Sequence, residues 1–123
     1  MNQPTRILLI SSDLMSTSRL VGIGHAAGAA VETLASPAGT PQGAACDVVL
    51  LDLQSLAGEI AAHITRAREL GGTSAKVVAY GPHVWKDRLD AAVAAGADDA
   101  VSRGEVMGGL PALLARWCGG PDR

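Results

Sequence analysis

Four short apolar runs constrain this chain more than any other feature: ILLI at 7–10, VVLL at 48–51, VVAY at 77–80 and, more weakly, AVS at 100–102. None is long enough to span a membrane. The runs are continuous rather than alternating, so the strands they predict are covered on both faces, as in a parallel sheet. AVETLA at 30–35 does alternate and predicts an edge strand. The stretches between the runs have helical spacing. Residues 16–28 put Leu20, Ile23 and Ala27 on one side, with Ser16 or Asp13 as the cap. Residues 55–70 align Leu56, Ile60, Ile64 and Ala67, with Glu59, Arg66 and Glu69 on the other faces. Residues 84–95 align Val84, Leu89, Ala92 and Val93.

The last helix carries Leu110, Leu113, Leu114 and Trp117. Pro111 suits a first turn, which starts that helix near Leu110 and leaves 104–109, with Gly108 and Gly109, as a loop or weak turn. PAGTPQGAAC at 37–46 reads as a short helix or a loose crossover. Alternation of this kind predicts an α/β fold with a doubly wound parallel sheet, and places chemistry at the carboxyl ends of the central strands.

Length and charge narrow the function. The 123 residues suit one domain. A net charge of −2, with basic residues scattered along the chain, argues against nucleic-acid binding. The polar start MNQPT is followed by only four apolar residues, which is no signal-peptide core, so a cytoplasmic protein is expected. Cys46 and Cys118 have neither a metal nor a redox spacing and read as inert thiols. His25, His63 and His83 fall on different elements, and no nucleophile–base motif accompanies them, so no enzyme activity is expected.

The strand ends carry the sharper information. ILLISSD, DVVLLDL and AGADDAVSRG, in these places in a five-fold alternation, resemble the receiver domain of two-component response regulators. The resemblance implies a flavodoxin-like three-layer sandwich with strand order 2-1-3-4-5, one receiver-like domain over 1–123 (core about 5–118) and no effector domain. It places Asp52 at the phosphoacceptor position. It also implies an acidic pair for Mg²⁺ after strand 1, a Ser or Thr after strand 4, a Lys after strand 5 and an aromatic on strand 5. At those positions this chain has Ser11 and Ser12, Gly81, Arg103 and Ala100, with Asp13 as a third, weaker metal position.

Two hydroxyls carry no charge to offset the dehydration of a divalent cation, so Asp13 and Asp52 are at most weak Mg²⁺ ligands and no cofactor is expected. The reading is an atypical receiver-like module acting through protein contacts. Its partners would be a signalling protein or a histidine kinase, or a second copy docked through the family's fourth helix, fifth strand and fifth helix. Trp85, Ala100 and Trp117 are candidates for that face, although Trp117 also continues the apolar stripe of its helix. Asp52 either accepts a phosphoryl group or is a structural carboxylate bonded to Ser11 or Ser12, or paired with Arg103. Adjacent Asp98 and Asp99 should point to opposite faces and share no site. The hydroxyl-rich loop Ser11, Ser12, Ser16, Thr17, Ser18 leaves a nucleotide or flavin phosphate as a third possibility.

Overall fold

The computed structural model describes residues 4–43 and 45–119. The apolar runs form one parallel sheet of β1 (Arg6–Ile10), β2 (Ala30–Leu34), β3 (Val48–Asp52), β4 (Lys76–Gly81) and β5 (Asp99–Ser102), in the order β2-β1-β3-β4-β5. This is the flavodoxin-like order expected. Period-two geometry splits each strand between two cores. Ile7, Leu9, Val48, Leu50, Val78, Tyr80 and Val101 pack under α1 (Leu14–Ala26) and α4 (Arg103–Cys118). Leu8, Ile10, Val49, Leu51, Val77 and Ala79 pack under α2 (Ile60–Gly71) and α3 (Lys86–Ala94).

The connection from β2 to β3 contains no helix among the described residues, which settles 37–46 as a loose crossover. Side chains tie it down instead. Glu32 accepts from the Gln42 and Gly43 amides at 2.6 and 2.9 Å, and Arg66 Nε donates to the Pro37 carbonyl at 3.0 Å. Cys46 and Cys118 pack against opposite faces of the sheet, so they cannot pair.

Three helix limits differ from the sequence expectation, each for a local reason. α1 begins at Leu14 because Asp13, not Ser16, is the cap: its carboxylate accepts from the Met15 and Ser16 amides. The stretch 55–70 divides into a 3₁₀ turn at Leu53–Ser55 and α2, with Gly58 between them at φ 107°. The segment 104–109, expected as a loop, is helical. Ser102 accepts from the Glu105 amide at 3.1 Å while Glu105 accepts from the Ser102 amide at 2.8 Å, a complete capping box. The glycines make their mark as a kink, with non-helical angles at Gly109 (φ −141°, ψ 28°). Pro111 has no N–H for the carbonyl four residues back, so the break just before it costs little extra.

Asp98 and Asp99 diverge as expected. Asp98 accepts from the Val77 amide and Arg68, while Asp99 accepts from Arg116 and the Trp117 indole. Burial alone would raise both carboxyls, but these donors hold them below the ordinary value. The capping box makes Ser102→Ala a direct test of the α4 start. Urea unfolding should show a loss of about 1 kcal/mol, with the same slope against denaturant.

Candidate functional site

The strand alternation that fills the first core also delivers three polar groups to its upper edge. Ser11 follows Leu9, Asp52 follows Leu50, and Tyr80 follows Val78, all on the same face. Asp52 and Tyr80 are direct neighbours in the β3–β4 register. Asp52 has no exposed surface. Removing a carboxylate from water costs several kcal/mol, so its oxygens need partners.

Those partners are local. Ser11 Oγ donates to Oδ2 at 2.8 Å, and the Gln54 amide donates to Oδ1 at 3.1 Å as the cap of the 3₁₀ turn. Arg103 approaches Oδ1 only to 4.0 Å. Its closer bond, 2.6 Å, goes to the side-chain Oε1 of Gln54, the residue whose backbone amide binds Asp52. Ser12 faces elsewhere: its amide donates to Ser55 Oγ at 3.0 Å and its hydroxyl to the Ser55 carbonyl at 2.9 Å. The loop after β1 is thereby fastened to the turn after β3.

Asp13 is fully used as the α1 cap. Oδ1 accepts the Met15 and Ser16 amides, and Oδ2 accepts Ser16 Oγ at 2.9 Å. The Ser16 hydroxyl and amide lead in holding its carboxyl below the ordinary range. These residues do not fit a Mg²⁺ site. Asp52 is sealed and bonded, Asp13 is turned to its own helix, and no group of three His, Cys, Asp or Glu among the described residues could hold a metal. Asp13 and Asp52, the weak Mg²⁺ candidates of the sequence, therefore do not form a ligand pair. The hydroxyls of Ser11, Ser12 and Ser16 are all bonded within the protein, while Thr17 Oγ1 is buried without a partner among the described residues.

Gly81 is the last residue of β4 and brings no side chain to this edge. A Cβ there would meet the Trp85 ring at 3.5 Å, with Leu89 and Leu53 beyond, on the sheet face opposite Asp52. The residue that shares Asp52's face is Tyr80. It was not a candidate in the sequence, although the Val78–Tyr80 alternation pointed to it. Its side chain is fully buried, and its hydroxyl has no hydrogen-bond partner of proper geometry among the described residues, though Ser11 and Asp52 lie close. Burial, then the Asp52 charge, pushes its ionisation far above the ordinary tyrosine value. Arg103 Nε is likewise buried and unpartnered.

Of the proposed interaction residues, Trp117 is buried in the first core and belongs to the fold. Ala100 is half-buried against the second core. Trp85 is half-buried too, with the Arg88 guanidinium 4.8 Å over its ring.

In sequence, the chain matches no family profile and no curated protein. In structure it superposes on receiver domains. One, from Clostridium thermocellum, is 16% identical at a TM-score of 0.77 over 94% of both chains. A response regulator from Thermotoga maritima is 17% identical at 0.73, over 96% of this chain and all of the other. The receiver domain of a sensor histidine kinase from Pseudomonas aeruginosa, solved with magnesium in its active-site cleft, is 18% identical at 0.74 over 96% and 100%. This chain has the receiver fold. Its Asp52 ends β3, at the carboxyl edge where open α/β sheets place their ligands.

Two substitutions separate bonded from unbonded hydroxyls in this receiver fold. Ser11→Ala leaves a buried carboxylate oxygen short of a donor and should cost about 1–3 kcal/mol in urea unfolding. Tyr80→Phe removes a hydroxyl with no hydrogen bond of proper geometry among the described residues and should leave stability nearly unchanged or higher. Tyr80 is also the chain's single tyrosine, so it can be titrated alone. A raised folded value means stability is complete below about pH 10, the unfolded value, and falls as pH rises beyond it. Tyrosinate absorbance should therefore appear late, and Asp52→Asn should bring its onset to lower pH.

Proposed function

We propose that this chain is a receiver-like signalling module of the two-component type that acts by binding a protein partner, without phosphoryl transfer at Asp52. The observation that carries the reading is the state of Asp52: fully buried, with one oxygen on Ser11 and the other on the Gln54 amide. An acceptor carboxylate needs an open line to the donor and cations to offset repulsion between two anions. Here the cation beside Asp52 is the Arg103 guanidinium, 4.0 Å from Oδ1 and hydrogen-bonded to the Gln54 side chain.

The receiver fold of the structural neighbours supports the signalling class. A signalling protein or a histidine kinase is the corresponding partner. The face formed by α3, β5 and α4, with Trp85 at its margin, is the surface we assign to that contact or to a second copy of the chain. No helix among the described residues is long and apolar enough to cross a membrane, which suits a diffusible module. The module carries no chemistry of its own in this reading, and its output comes from the bound protein.

The test is intact mass after incubation with acetyl phosphate and Mg²⁺, with Asp52→Ala as control. The expected result is no mass increase in either protein while circular dichroism shows both folded. A Mg²⁺-dependent adduct in the natural chain, lost in Asp52→Ala, would make it a phosphoacceptor instead.

A further inference from the structure

The environment of Asp52 contains one group that the signalling reading does not use. Tyr80 sits beside Asp52 in the β3–β4 register, on the same face, with no exposed surface. Its ring belongs to the first core, together with Leu9, Val101 and Val106, and its hydroxyl end lies near Ser11 and Asp52 without a hydrogen bond of proper geometry among the described residues. A buried hydroxyl with no partner is a cost to the fold, so bonding does not explain its place there. The ring instead fills volume next to the carboxylate.

Resting on the reading above, we infer that Tyr80 is the plug that closes Asp52: its ring occupies the space a group joined to that carboxylate would need. Arg103 lies 4.0 Å from the same carboxylate, but the two neighbours differ in kind. The Arg103 side chain is 35% exposed and its guanidinium ends on the exposed Gln54, where a side chain can change rotamer more readily than in the core. Tyr80 is held between two strands and a helix in a close-packed core and has nowhere to go. Tyr80 therefore sets access to Asp52, and Arg103 only gates it. Gly81 cannot take this part, since its side faces the opposite core.

The direct measurement is carboxyl labelling of the folded chain with a water-soluble carbodiimide and glycine ethyl ester. Peptide mapping reads Asp52 against the exposed Asp90 as internal reference. The carbodiimide activates the carboxyl, the amine displaces the urea, and an amide forms. Tyr80→Thr and Tyr80→Leu, each shorter than the ring, should raise the Asp52-to-Asp90 labelling ratio at least tenfold. Tyr80→Phe keeps the ring and should leave the ratio unchanged, and Arg103→Ala should raise it less than Tyr80→Thr. Labelling is read only on variants whose circular dichroism matches the natural chain, and Tyr80→Leu serves if Tyr80→Thr fails to fold.

An equal ratio in the natural chain and a folded Tyr80→Thr or Tyr80→Leu overturns the plug. So does a rise in Tyr80→Phe or a larger rise in Arg103→Ala. The wider reading fails separately, by a phosphoryl adduct on the natural chain with acetyl phosphate. A natural chain that takes no phosphate, with labelling indifferent to residue 80, would leave that reading standing and remove the plug.

Discussion

A carboxylate with no exposed surface, at the end of the central strand of an apolar sheet, must be satisfied by what surrounds it. The surroundings of Asp52 are arranged accordingly. Ser11 supplies a hydroxyl from β1's end, and the turn after β3 supplies an amide. Gln54 of the same turn reaches Arg103 at the start of α4. The loop after β1 closes onto Ser55 of that turn through Ser12. Three loops at the carboxyl edge are thus joined around one charge, and the sheet order β2-β1-β3-β4-β5 is what brings them together.

The same contacts decide what the edge can do. A metal-assisted phosphoryl site needs charged oxygen ligands that are free and a nucleophile that is reachable. Here Asp13 is committed to capping α1, and the Ser11 and Ser12 hydroxyls bond protein partners. The carboxyl edge of this receiver fold is a polar knot centred on Asp52, with the Tyr80 hydroxyl and Arg103 Nε buried in it without partners among the described residues.

Particular residues show where sequence reasoning held and where it failed. A contact of Asp52 with Ser11, Ser12 or Arg103 was legible from the strand ends, and the structure selects Ser11. The divergence of Asp98 and Asp99 followed from strand alternation alone. The helical 104–109 segment was misread because glycine content outweighed a capping box, Ser102 with Glu105, that was present in the chain. Tyr80 was missed for a different reason. The reading fell on the last residue of β4, and a one-residue step along a strand reverses the face.

By itself, the sequence determined the strand runs, their parallel pairing, the five-fold alternation and the serines that follow β1, because these depend on local periodicity and on residue identity. Only the tertiary structure decided that Asp52 is sealed, that Arg103 bonds the Gln54 side chain beside it, that Trp117 is core, and that Tyr80 shares its face. Those facts depend on register between strands distant in the chain and on how helices close over them. Burial and hydrogen-bond partnership are properties of that packing, and no single segment carries them.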